Sequence, residues 1–347
     1  MTMLATLLGR VFREELTLRE HRTRLDQRIR AANKDAWARV PRVTTSQMRD
    51  VVVEKVVRET ADTVSLYLRP EDSSPVHYRT GQFITCCLTI DGEEYRRAYS
   101  ISDVPARGRL RITVRQVEGG VVSNHVQHRL REGDRFRMLG PSGDFVLAPD
   151  MDQCVFIAAG VGITPIRGLA EELVRRSPGH KATLIYACRT EQDIIFREEL
   201  DALAAGHENL ALHYVLSRPK KGWQGERGRL TPERLGALLK TADPGQRAHY
   251  FVCGPDAFMA MAEAVVRDLG VPAARLHSER FLSAHLAPKA LPDTPQTIHF
   301  ERSGKTVTAE PGETLLEAGL KAGVPLSYSC QVGGAVIVAS RSPGVRS

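Results

Sequence analysis

CVFIAAGVGITPIRGLAEELVRR, Cys154 to Arg176, carries three signals in succession. The apolar run CVFIAAG has no polar alternation, the mark of a strand buried on both faces as in a parallel sheet. A turn of small residues follows, and then the helical stretch GLAEELVRR. Further on, TLIYACR, LALHYVLS and HYFVCG repeat the strand style with helical stretches between them. Such alternation predicts a parallel α/β sheet, here placed over residues 150–283.

Upstream of this segment the pattern differs. VVVEKVV, TVSLYLR, FITCCLTI, LRITVRQV and FRML are short β-branched runs, separated by turns at Asp91-Gly92, Arg107-Gly108 and Glu132-Gly133-Asp134. Strands at this spacing predict an antiparallel β barrel over 48–149. HLAPKALPDTPQ (His285–Gln296) reads as a Pro-rich linker, assigned to 284–296, into a third unit over 297–347. Residues 1–47 form a basic extension in which Leu18, Leu25, Ile29, Ala32 and Ala36 share one helical stripe. We read it as a helix packed on the barrel. A docking surface for an acidic partner or anionic lipid is the alternative, and Glu14, Glu15, Glu20, Asp26 and Asp35 dilute the charge it would need.

The 347 residues suffice for two or three cored domains, and 42% hydrophobic with 26% charged residues is ordinary for a globular chain. No apolar run reaches membrane-spanning length, and no basic region precedes the first apolar stretch as in a signal peptide. The six scattered cysteines read as reduced thiols, which predicts a cytoplasmic location. A net charge of +7 favours phosphate-bearing ligands without calling for nucleic acid.

Four motifs carry chemistry. Arg97-Ala98-Tyr99-Ser100 ends a strand, where positions 97 and 99 share a face. It offers a cation for a phosphate, a flat ring and a hydroxyl donor, although an exposed arginine beside a core tyrosine would look the same. Gly119-Gly120-Val121-Val122-Ser123-Asn124 precedes the helical stretch from His125 to Leu130, leaving backbone N–H groups for a pyrophosphate. An ordinary serine cap is its plain alternative. Gly160-Val161-Gly162-Ile163-Thr164-Pro165 follows a buried strand and makes a second cradle, to which Thr164 adds a hydroxyl. Cys253-Gly254-Pro255 ends the strand HYFV, at the strand end where open α/β sheets bind ligands, with simple packing as the alternative for Cys253.

In this order and at these intervals, the four motifs resemble the ferredoxin–NADP reductase superfamily over roughly residues 50–283. The resemblance implies a flavin, FAD before FMN, held by Arg97, Tyr99 and Ser100, with Gly120 and Ser123 at its phosphates. It implies a nicotinamide dinucleotide on Gly160, Gly162 and Thr164, with Cys253, Gly254 and Pro255 beside the reacting ring. Glu279-Arg280-Phe281 matches the acid-x-aromatic element near the flavin, Phe281 being its cover. Ser100, Cys253 and Glu279 are then the residues nearest the chemistry. Ser217 and Arg218, with Arg189, Lys220 and Lys221, stand where NADPH-using relatives hold the 2′-phosphate, and no acidic residue replaces them. NADH-using relatives can show the same Ser-Arg pair, so NADPH is expected and NADH stays open.

Residues 297–330 resemble the first half of a plant-type [2Fe–2S] ferredoxin, with a hairpin around Ser303-Gly304 and Cys330 at the first ligand position. The family pattern is C-x4-C-x2-C with a distant fourth cysteine. Here Ala335 and Val338 occupy the second and third positions, so no metal site is expected, and AVIVASRSPGVRS reads as a shifted frame. The function implied is a flavin-dependent NAD(P)H oxidoreductase serving a ferredoxin or an oxygenase, hydroxylase or desaturase partner. A free flavin or quinone reductase, and a non-catalytic flavin-binding scaffold, are the alternatives.

Overall fold

A computed structural model describes residues 48–105, 110–281, 294–300 and 303–311, together with 318, 319, 322 and 324. The expected helical extension over 1–47, most of the linker, Ala335, Val338 and Cys330 lie outside the described residues.

The first unit is one antiparallel sheet of β1 (Arg49–Thr60), β2 (Thr63–Pro70), β3 (Phe83–Ile90), β4 (Glu93–Ser100), β5 (Leu110–Arg115) and β6 (Arg135–Ser142), in the barrel-like order β4-β3-β6-β1-β2-β5. Asp91 (φ 51°) and Gly92 (φ 88°) form the two-residue turn between β3 and β4. Both residues lie in the left-handed region, whose twist matches that of the flanking strands. β5 is buried on both faces. Leu110, Ile112 and Val114 join the barrel core, while Arg111 and Thr113 are buried on the other face.

Helix α1 (Val121–His128) closes the barrel, with Val122 and Val126 in its core. The sequence placed this helix from His125 to Leu130. It starts four residues earlier because Gly119 (φ 70°) reverses the chain and Gly120 already stands at the cap.

The second unit is a parallel sheet of β7 (Gln153–Ala159), β8 (Lys181–Cys188), β9 (Leu210–Leu216), β10 (Glu226–Arg227), β11 (His249–Cys253) and β12 (Leu276–Glu279), ordered β10-β9-β8-β7-β11-β12. Helices α2 (Ile163–Arg176) and α3 (Arg197–Gly206) cover one face through Ile166, Leu173 and Leu200. On the other face lie α4 (Pro232–Ala242) and α5 (Asp256–Asp268), through Leu235, Leu239, Met259 and Val266. The chain runs from β7 outward to β10, then returns to place β11 on the opposite side of β7. This reversal opens a crevice at the carboxyl ends of β7 and β11, the place where doubly wound sheets take ligands.

A separate hairpin, β13 (Gln296–Phe300) and β14 (Lys305–Ala309), turns at Ser303 and at Gly304 (φ 66°). Among the described residues, no helix is long and apolar enough to cross a membrane.

Candidate active site

β4 lies at the edge of its sheet and carries Arg97, Tyr99 and Ser100 to its end. The strand's other arginine is held in check: Arg96 pairs with Glu94 at 2.7 Å. Arg97 only donates to the Arg96 carbonyl (2.7 Å) and meets no carboxylate among the described residues. Tyr99 packs half-buried against the barrel core, and burial pushes its phenol far above the usual range. Ser100 is 3% exposed, and its buried Oγ has no hydrogen-bond partner among the described residues. A buried hydroxyl without a partner carries a desolvation cost, which a ligand at this strand end would relieve.

The glycine loop before α1 is organised differently. Ser123 Oγ accepts from the Val117 N–H (3.0 Å) and donates to the Gly120 carbonyl (3.4 Å), so its hydroxyl ties the loop to itself. A Cβ on Gly120 would lie 2.6 Å from that oxygen. No side chain caps the helix, which leaves its first amides to an anion. Val117 and Val121, 46% and 45% exposed, form apolar shoulders beside the loop. The loop and the β4 end together fit a flavin with phosphates: one bare cation, one waiting donor and an uncapped helix start.

On the nucleotide side, Gly160 has φ 52°, and a Cβ on Gly162 would lie 2.2 Å from the Cys253 carbonyl oxygen. The turns after β7 and β11 therefore touch backbone to backbone, and only glycine permits the approach. Thr164 Oγ1 donates to the Val161 carbonyl (2.9 Å), so this hydroxyl also serves its own turn. α2 starts without a side-chain cap, and a cradle of backbone amides remains for a pyrophosphate.

Cys253 is fully buried, and burial, with the Glu279 charge second, pushes its thiol far above the usual range. It offers shape, not a thiolate. Gly254 packs against Ala159 and Phe258, and Pro255 leads into α5. Glu279 pairs with Cys253 across β11 and β12. Its carboxyl is pushed up to about 7, first by burial and then by the carboxylate of Asp144, which comes from the end of the barrel unit. Phe281 is partly buried against the core of the nucleotide unit.

The proposed 2′-phosphate corner forms where two strand ends run together. The Ser217 N–H donates to the Cys188 carbonyl (3.0 Å) and the Arg218 N–H to the Arg189 carbonyl (2.7 Å), which sets Arg189 beside Arg218. Arg218, Lys220 and Lys221 are exposed. Arg189 pairs with Asp193 (2.9 Å), and Glu191 accepts from the Lys220 N–H (3.1 Å). Two carboxylates that the sequence reading left aside thus share this corner.

Sequence reasoning also missed Arg115, at the end of β5. Its Nη1 lies 3.2 Å from where a Gly160 Cβ would stand, so a barrel residue reaches the cradle of the other unit. Arg115 pairs with Asp62 (2.8 Å). Burial pushes the Asp62 carboxyl up, but hydrogen bonds from Thr60 and Thr63 and the Arg115 charge outweigh it and hold it low. The only available signal was strand alternation from Arg111 through Thr113 to Arg115, with no motif to mark it.

Comparison with known proteins agrees with this division. Residues 50–147 match the family model of an oxidoreductase FAD-binding domain, and residues 156–264 that of an oxidoreductase NAD-binding domain. The chain is 32% identical to an NADPH oxidoreductase of Mycobacterium tuberculosis, over 80% of this chain and 71% of that protein. It is 30% identical to the glycine betaine monooxygenase reductase subunit of Pseudomonas aeruginosa, over 80% and 81% of the two chains. Among solved structures, an Amycolatopsis cytochrome P450 reductase superimposes with a TM-score of 0.61 at 26% identity, covering 69% of this chain and 72% of that one.

Proposed function

From the premise that this chain belongs to the ferredoxin–NADP reductase-like family of FAD- and NAD(P)-binding oxidoreductases, we propose that it takes hydride from NADPH onto FAD and serves an oxygenase, hydroxylase or desaturase as its reductase. Relatives named as a monooxygenase reductase subunit and a P450 reductase support this assignment of partner class. Bound FAD supplies a two-electron acceptor that can release electrons one at a time.

The protein's own contribution is position. Arg97 would hold a flavin phosphate by a charge-assisted contact. The Ser100 hydroxyl would donate to the flavin ring, and the half-buried face of Tyr99 would support that ring. The amides at the start of α1, shaped by Gly120 and Ser123, would receive the pyrophosphate. Gly160, Gly162 and Thr164 would hold the coenzyme through the backbone, with Arg115 reaching across from the barrel. Cys253, Gly254 and Pro255 would wall the nicotinamide, and Phe281 would cover the flavin. Glu279, neutral in part at pH 7, would keep negative charge low where a hydride arrives. Ser217, Arg218 and Arg189 would favour the coenzyme with the extra phosphate.

The observation that carries this reading is the buried Ser100 hydroxyl at the end of β4, without a partner among the described residues. NADPH added without oxygen should bleach the flavin of the purified protein. A yellow protein that stays oxidised would overturn the assignment.

The segment over 297–347 belongs, on this reading, to a ferredoxin-like unit that holds no cluster, because Ala335 and Val338 cannot replace ligand cysteines. Electrons would then pass to a separate acceptor protein. Iron and acid-labile sulfide assays should find neither element, and two irons per chain after anaerobic reconstitution would refute this.

A further inference from the structure

A largely buried group of charges, centred on the partly exposed Glu199, joins the two units, and the proposed chemistry does not use it. Arg111 of β5 is fully buried. Its two terminal nitrogens donate to the two carboxylate oxygens of Glu199 in the first turn of α3, at 2.7 and 3.2 Å. Nη2 also donates to the Ser102 carbonyl (2.8 Å). Arg167 of α2, 2% exposed, reaches the same Glu199 (2.7 Å), as well as Glu171 (2.9 Å) and the barrel residue Asp103 (3.4 Å). Glu199 is thus gripped by two guanidinium groups, one from each unit.

The backbone that delivers Glu199 is strained. Phe196, directly before α3, has φ 60° and ψ 29°, although it is bulky and 2% exposed. Such a residue persists in the left-handed region only where its surroundings over-determine it, which occurs preferentially at functional sites. The Arg111 guanidinium lies over the Phe196 ring at 4.6 Å. Next to it, the Ile195 N–H donates to the Tyr186 hydroxyl (3.3 Å), which donates to the Gly160 carbonyl (3.0 Å). A continuous run of contacts therefore leads from β5 of the barrel to the glycine turn of the nucleotide unit.

We propose that Arg111, Phe196 and Glu199 form an interdomain latch, a set of positioning residues that holds the coenzyme cradle at one offset from the flavin strand end. Apolar contacts would let the two units slide, whereas two guanidinium groups on one carboxylate are satisfied in a single arrangement. An ion pair whose arginine is fully buried adds little stability over an apolar replacement, so its use at this boundary fits registration better than strength. The inference rests on the flavin–nicotinamide reading above.

The test is anaerobic stopped-flow bleaching by NADPH, beside calorimetry with ADP-ribose, FAD content, and amide exchange of residues 194–200. Glu199→Gln keeps size and removes charge. It should slow bleaching on the order of 10²-fold, as expected when reacting groups are misplaced by about 1 Å. ADP-ribose affinity and FAD content should hold, and exchange at 194–200 should rise. Glu199→Asp, the fallback if the first variant does not fold, should show a smaller loss of the same kind. Arg111→Met combined with Glu199→Gln should be no slower than the slower single variant, because the residues act as one device. Parental rates in the Glu199 variants, or FAD content and ADP-ribose affinity falling in step with the rate, would overturn the latch while leaving the reductase assignment intact. Failure of the parent protein to bleach would remove that assignment, and the latch with it.

Discussion

The end of β4 and the strand tips of the nucleotide unit would offer the ligands proposed for them opposite kinds of groups. At β4 the side chains wait: among the described residues Arg97 meets no carboxylate and the Ser100 hydroxyl no hydrogen-bond partner. At the nucleotide tips the side chains are already engaged. Thr164 bonds the Val161 carbonyl, Tyr186 the Gly160 carbonyl and Arg189 the Asp193 carboxylate. What remains open at the glycine turns themselves is backbone, with the exposed Arg218 standing apart at the end of β9. One site is therefore built to be sensitive to lost side chains, the other to added ones.

The sharpest way to break that contrast is Gly162→Ala. Its methyl would stand 2.2 Å from the Cys253 carbonyl oxygen, which forces the two tips apart. Such overpacking costs about 1–3 kcal/mol, and against rigid backbone the upper end of that range is expected. Coenzyme affinity should fall by up to about 10²-fold, measured by titration with ADP-ribose, while the flavin stays bound. A variant with parental affinity would show that the tips do not need their contact.

Glu279 tests the rule from inside the nucleotide unit, since its carboxyl is held near 7 by burial and by Asp144. The folded chain keeps a proton that the unfolded chain loses near 4.5, so stability falls as pH rises from about 4.5 to 7, then levels. Glu279→Gln should match the parent at pH 4 and exceed it at pH 8 by about 3 kcal/mol, because the parent carboxyl is held up to about 7 only when folded. Denaturant midpoints across that range decide it. Parallel curves would place the titration elsewhere.

Arg97→Ala removes the waiting cation. A charge-assisted contact is worth about 1.5–3 kcal/mol, so flavin retention should drop by one to two orders of magnitude. Protein that stays fully yellow after gel filtration would move the phosphate site away from β4. The smallest effect is expected at Arg218, which is exposed. Arg218→Ala should raise the Michaelis constant for NADPH about tenfold and leave that for NADH nearly unchanged. Equal changes for both coenzymes would remove the 2′-phosphate from this corner.

What the sequence made legible follows from the range of each interaction. Alternating runs and the Asp91-Gly92 turn mark the barrel because strand faces and turn chemistry are local. The unbroken run CVFIAAG marks β7 because burial on both faces leaves no polar position. The direction of a hydroxyl is not local in this way. Ser123 and Thr164 sit where the motifs placed them, yet both oxygens turn inward to carbonyls of their own loops. Arg115, Arg111 and Glu199 escaped notice for another reason. Each belongs to an ordinary strand or helix, and its partner lies in a distant part of the chain: Asp62 is 53 residues from Arg115, and Glu199 is 88 from Arg111.

The pairing of Arg115 with Asp62 would bear on how long a coenzyme stays. On the placement proposed above, a pyrophosphate reaching Arg115 would have to displace an ion pair before it gained one, because this cation is already held by a carboxylate. The exchange would leave less net attraction than a bare guanidinium gives. Asp62 would reclaim Arg115 whenever the phosphates lifted away. Residence time would then be shortened from within the protein, by a competitor that never diffuses off.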